Sequence, residues 1–188
     1  MKSIWLFLFV TLCLGCISSI NSKQELRAYI DDPSNGLKQA KMLRNEIEVV
    51  MVYIPPQLLG QRWIKDSSKQ SYFSLRLSRK NTQVLRQLDM SSYSQLLQTF
   101  SFRMLNYAVA LDQDNQQIRP IDALYQQTFG LTPYDELLIV FDAQKMLKTK
   151  HLKINIDEFG LNLGDLVFDF QTKDILTVNE KLNHQLKM

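Results

Sequence analysis

The sequence predicts a mainly β fold, an antiparallel β-sandwich of about seven or eight short strands with one central amphipathic helix. Three observations carry this. Period-two alternation recurs along the chain, one stretch alone has a long helical stripe, and strands do not alternate regularly with helices, as a parallel α/β sheet requires. An α+β sheet with the helix laid across one face is the alternative.

The elements follow in order. Ile47, Val49, Met51 and Tyr53 alternate with Glu46, Glu48, Val50 and Val52, giving a strand with one face toward a core. Pro55-Pro56 ends it, and Gln57 to Ile64 suits a helical turn or two with Pro56 near its first position. Phe73, Leu75 and Leu77 alternate with Tyr72, Ser74 and Arg76, giving a second strand. Tyr93, Leu96, Leu97, Phe100 and Met104 then form a helical stripe over residues 92–104, with Ser91 or Ser92 as cap. Phe100, Phe102 and Met104 also alternate, so helix is expected only to about Phe102.

Tyr107 to Leu111 and Ile121 to Phe129 are weaker strands, with Asp114-Asn115 as the turn between them and Pro120 outside the ladder. Leu137 to Phe141 is a continuous apolar run that suits a central strand. Leu152, Ile154 and Ile156, then Leu166, Phe168 and Phe170, supply two further alternating strands. From Asn179 onward the chain reads as a polar tail.

The chain has 188 residues, 45% hydrophobic and 22% charged, enough to bury a core without metals or disulfides. The net charge of +3 is a weak bias, and no Lys/Arg run marks a nucleic-acid footprint. The N-terminus is more specific. Met1-Lys2-Ser3 carries one positive charge, Ile4 to Leu14 is apolar, and no charge returns until Lys23. That is the layout of a secretory signal. The apolar run is shorter than the ~20 residues a spanning helix takes, and Ser18, Ser19, Asn21 and Ser22 interrupt it, so a membrane helix is the lesser reading.

The segment ends Leu12-Cys13-Leu14-Gly15-Cys16. It resembles the lipobox of bacterial lipoproteins, with Cys13 standing where that family usually has Leu. The resemblance covers about the first tenth of the chain. It implies diacylglycerol on the Cys16 thiol, cleavage between Gly15 and Cys16, and palmitate-type acylation of the new amino group. It also implies outer-membrane sorting, because Ile17 stands where Asp would retain the protein at the inner membrane. The expected organisation is a signal peptide over residues 1–15, a lipidated tether over 16–24, and one globular domain over 25–188. Two or three acyl chains anchor firmly, since each buried CH₂ contributes ~0.8 kcal/mol. Cys13 and Cys16 also have C-x-x-C spacing, but no thioredoxin-like pattern surrounds them. The mature chain, with 21 basic and 19 acidic residues, carries +2 and no free thiol once Cys16 is acylated.

Candidate sites outside the signal are few. His151 and His184 lack a second ligand at metal spacing. Asp112-Gln113-Asp114-Asn115-Gln116 opens like a calcium loop, but Gln117 and Ala123 stand where Gly and Glu are needed, so a hydrated turn is expected. Asp157-Glu158 and Asp165/Asp169 are acidic neighbours that read as solvated outer-face charge. Asp31 to Gly36 is a turn by composition. Tyr72 with Arg76 is the nearest aromatic–basic pair, and Trp63 between Arg62 and Lys65 suits packing at one end of the sandwich, with a place at the lipid interface as the alternative.

No G-x-S-x-G, H-E-x-x-H or phosphate-loop motif occurs. No catalytic residue, metal ligand or cofactor is therefore expected. The sequence favours a non-enzymatic, lipid-anchored interaction or structural module on the periplasmic side of the outer membrane, with an envelope protein as partner and no nucleic acid. In expected architecture it is similar to the small sandwich lipoproteins that anchor secretion machines. The alternative is a ligand-binding lipoprotein with a pocket between the sheets or under residues 92–104. A hydrolase using Asp165 and Asp169 is a third reading.

Overall fold

The computed structural model describes residues 20, 22–59 and 69–183. The lipobox with Gly15 and Cys16, Trp63 and His184 lie outside the described residues.

In chain order, helix α1 (Lys23–Asp31) leads to strands β1 (Lys38–Met42), β2 (Ile47–Tyr53), β3 (Gln70–Arg79) and β4 (Thr82–Gln83). Helix α2 (Met90–Phe102) follows, then β5 (Ala108–Leu111), β6 (Gln117–Ile118), β7 (Asp122–Gln126) and β8 (Asp135–Asp142). A one-turn helix α3 (Ala143–Met146), strands β9 (His151–Ile156) and β10 (Leu166–Gln171), and helix α4 (Thr172–Asn183) follow those.

The fold is mainly β, with two antiparallel sheets. One has the order β1-β2-β3-β8-β7, with β4 paired to the end of β3. The other runs β10-β9-β5-β6. β8 lies between β3 and β7, an interior position that explains its unbroken apolar run.

Alternation decides which side chains enter the core. In β3, Phe73, Leu75 and Leu77 sit opposite Tyr53, Met51 and Val49 of β2 and opposite Ile139, Leu137 and Asp135 of β8. Phe73 is the hinge of the packing. Its ring lies edge-on to Tyr53 at 5.5 Å, to Phe141 at 6.0 Å and to Phe170 of the second sheet at 5.3 Å. Phe73, Phe141 and Phe170 have no exposed surface. The space between the sheets is therefore lined with large buried side chains from both.

Several expectations are corrected. Among the described residues there are ten strands, two of them only two residues long, and four helices rather than one. β1 (Lys-Gln-Ala-Lys-Met) has no apolar face, because it is an edge strand fixed by pairing with β2. The Asp114-Asn115 turn joins β5 to the short β6, while β7 belongs to the other sheet, beside β8. The cap of α2 is Asp89 rather than Ser91 or Ser92, its carboxylate accepting from both of their N–H groups. The polar tail expected from Asn179 is the end of α4, which buries Ile175, Val178 and Leu182. Within the stretch read as a tether, Ile20 is buried and α1 starts at Lys23, capped by the Ser22 hydroxyl. Among the described residues no helix is long and apolar enough to cross a membrane.

Candidate functional site

Two of the surfaces among the described residues combine exposed or concave apolar area with polar groups held by hydrogen bonds. The first is a groove of about 460 Å³ on the face of the six-stranded sheet that points away from Phe73. Alternation puts Val52, Arg76, Glu136, Leu138 and Gln126 on that face, while Ile30 of α1 and Ile54, Leu58 and Leu59 after β2 wall it. Register aligns Val50, Arg76, Glu136 and Gln126 in one cross-strand row.

Arg76 and Glu136 form an ion pair at 3.0 Å, with side chains 24% and 14% exposed. Both contacts of the guanidinium with its neighbours in the strands use Nε. It donates to Glu136 Oε1 and to Ser74 Oγ, and Ser74 in turn donates to Glu136. The guanidinium carbon sits 4.9 Å from the centre of the Tyr134 ring, a cation–π contact that helps fix the group.

The second surface is the 127–134 loop between β7 and β8. Phe129 and Leu131 are 77% and 90% exposed at its tip. Leu131 N–H donates to Thr128 C=O at 3.0 Å, and the two residues within that turn, Phe129 and Gly130, have φ of +51° and +88°. This left-handed pair is the turn geometry that Asn-Gly adopts most readily. A Cβ on Gly130 would overlap the Arg86 guanidinium, which donates to the Phe129 carbonyl.

The loop is braced from beneath. Gln83 Nε2 donates to Thr128 Oγ1 at 2.6 Å. Thr132 spends its single hydroxyl proton on the Tyr134 carbonyl, so Thr128 is the donor in the 2.8 Å contact between the two threonines. At the loop's end, buried Asp135 accepts from Leu85 N–H at 2.9 Å and from Tyr125 O–H at 3.1 Å. Burial pushes its carboxyl up, and the bonds from Leu85, Tyr125 and Val84 offset part of that. Burial, then the Asp135 charge, pushes the Tyr125 phenol up as well. The bonds from Gln83 and Leu85 are not visible in sequence, because they come from 45 and 50 residues away.

The sequence candidates take other places. His151 and Asp169 are exposed neighbours on paired strands, with Nδ1 and Oδ1 4.0 Å apart. Asp165 precedes β10 rather than sharing its face with Asp169, and accepts the Glu158 N–H at 3.0 Å. Among the described residues no contact joins the two carboxylates. Glu158 is not outer-face charge. Its carboxylate accepts the N–H groups of Gly160, Leu161, Asn162, Leu163 and Gly164 at 2.6–2.9 Å. Partial burial raises its pKa, but the N–H bonds outweigh this and hold it below the ordinary value.

Asp112 accepts from Asp114 N–H and Gln116 N–H, closing a turn. Among the described residues no group of His, Cys, Asp or Glu has metal-binding geometry. Asp32 caps a turn at Ser34, and Gly36 there has φ +66°. The stripe of α2 faces inward, Phe100 meeting Tyr125 at 5.4 Å and Phe159 at 5.9 Å. A cleft of about 310 Å³ runs between α2 and the Glu158 loop, lined by Leu96 and Thr99 of the helix and by Phe159. No protein-family model, no curated protein and no solved structure matches the chain.

Proposed function

We propose that this chain is a non-enzymatic, lipid-anchored module of the bacterial envelope, held at the outer membrane through Cys16, facing the periplasm, and docking an envelope protein through its 127–134 loop. In this reading the two sheets form an open sandwich that serves as the rigid support of the loop. One observation carries it: Phe129 and Leu131 stand in solvent on a turn fixed by side-chain hydrogen bonds at its base. Aromatic and aliphatic anchors on a preorganised loop are what a protein interface uses at its centre, because little ordering entropy remains to be lost on binding.

The chemistry around the anchors favours protein over lipid. Residues 123–134 contain no Lys, Arg, Asp or Glu, the flanking side chains are Gln and Thr, and the Arg86 guanidinium that reaches the turn is engaged with the Phe129 carbonyl. An anionic membrane surface is met with Lys and Arg around the apolar wedge. A rim of mainly neutral hydrogen-bonding groups with Arg86 at its edge suits a protein interface.

The test places a photoreactive phenylalanine analogue at position 129 or 131 of the full-length lipidated chain in intact envelopes. Both positions are expected to give one protein adduct of the same mass, absent when the probe replaces exposed Val167 on β10. A Phe129→Ser/Leu131→Ser variant should keep its Tm and no longer co-purify with the crosslinked protein. Adducts to lipid alone, or none, refute the docking role. For the anchor, Cys16→Ser should move the protein from the detergent phase to the aqueous phase.

A second reading, ligand binding, is favoured by the groove over Arg76 and Glu136. Its volume and its mixed lining of aliphatic side chains with a few charges suit a small molecule.

A further inference from the structure

Resting on the ligand-binding reading of the groove, the geometry points to its ligand class: a small apolar carboxylate, whose head is gripped by the Nη edge of Arg76 and whose body lies on Ile54, Leu58, Leu59 and Leu138.

The donors decide this. The Nε edge of the guanidinium is occupied by Glu136 and Ser74, and one face is covered by Tyr134. The two Nη groups have no hydrogen-bond partner among the described residues, although Arg76 is only 24% exposed. A guanidinium fixed on one edge and stacked on a ring is preorganised for a planar acceptor on the free edge, and a carboxylate fits that edge with two parallel bonds.

The charge balance has the same sign. Four charged side chains line the groove, namely Arg27, Asp31, Arg76 and Glu136. Asp31 is taken by Lys38 at 2.7 Å and Glu136 by Arg76. Arg27 has no hydrogen bond or ion pair among the described residues. The lining holds two cations and two anions, and because Lys38 from outside the groove takes Asp31, Arg27 is left as the cation for an anionic ligand to meet. The aliphatic wall supplies the rest of the affinity, at ~25 cal/mol per Å² of apolar surface removed from water. A fatty-acid type of ligand and the C-terminal residue of a peptide share this chemistry.

The experiment titrates the full chain in nanodiscs with hexanoate and with N-acetyl-leucine, each beside its uncharged amide. The methyl resonances of Leu58 and Leu138 and the Arg76 Nε–H resonance are followed. At least one acid should give a saturable shift at these groups, at least tenfold tighter than its amide. Saturation by hexanoate alone identifies an acyl source, by N-acetyl-leucine alone a peptide terminus, and both outcomes support the class. Arg76→Gln should lower affinity at least tenfold. Glu136→Gln, which removes the competing charge, should raise it severalfold. Opposite responses from the two halves of one ion pair cannot come from a loss of fold. If amides bind as tightly as acids, the groove reading stands and the carboxylate assignment falls. If no acid or amide shifts these resonances, both fall. Weakening by Glu136→Gln in step with Arg76→Gln also overturns the assignment.

Discussion

Phe129 combines two unfavourable features in one residue. Its φ of +51° lies in the left-handed region, where a Cβ costs roughly 1 kcal/mol or more, and its ring is 77% exposed. Strain of this kind persists where something other than stability is served. Asn tolerates the left-handed conformation, so Phe129→Asn is expected to stabilise the isolated protein by about 1 kcal/mol, a rise of about 2–4 °C in Tm. The same substitution should abolish the crosslinked complex. A fall in Tm by calorimetry would mean that the ring contributes to the fold. The sequence places Phe129 at the end of a strand, and nothing local marks it out, because its turn is imposed by Gln83 and Arg86 from more than 40 residues away. Arg76 is half legible. Alternation puts it on the same face as Tyr72, but the ring it lies against belongs to Tyr134, in the loop just before β8 and 58 residues further along the chain.

The segment from Glu158 to Gly164 is a loop organised by a single carboxylate. Five N–H donors converge on Glu158, and the folded group gives up its proton more readily than the unfolded one. Unfolded chains therefore bind more protons in the window below the ordinary value of 4.5. The stabilisation is complete above pH 4.5 and disappears as the pH falls through the lower folded value. Hydrogen exchange should show the 160–164 amides opening more easily below pH 4.5, and Glu158→Gln should remove that pH dependence. At neutral pH the variant should loosen the loop by about 1–2 kcal/mol. Exchange in Glu158→Gln that still tracks pH in this way would assign the effect to another group. Alternation made β2, β3, β9 and β10 legible, because each has one buried face of large apolar residues. It did not reveal α1 and α4, whose buried stripes are only Leu26/Ile30 and Ile175/Val178/Leu182 among polar neighbours. Such helices owe their existence to docking on the sheets rather than to their own pattern.

At the scale of the whole molecule, the two sheets share one core, and Phe73 touches both. Phe73→Ala should cost about 3–5 kcal/mol and lower Tm by roughly 10 °C, with far-UV and near-UV signals lost in one transition. Two separated transitions would show that the sheets fold independently. The partition of strands into six and four was not legible, because it depends on β7 leaving the β5–β6 hairpin to pair with β8. One further feature joins the sheets along their margins. The Gln39 amide on edge strand β1 donates to the Asp169 carbonyl and accepts the Asp169 N–H of edge strand β10. It mimics a peptide unit, and so occupies backbone groups that an incoming strand would otherwise recruit. On the opposite margin α2 lies against β7, with Phe100 on Tyr125. Fibril-like growth and donor-strand exchange are thus discouraged along that seam, leaving visitors to be met by loop tips and hollows.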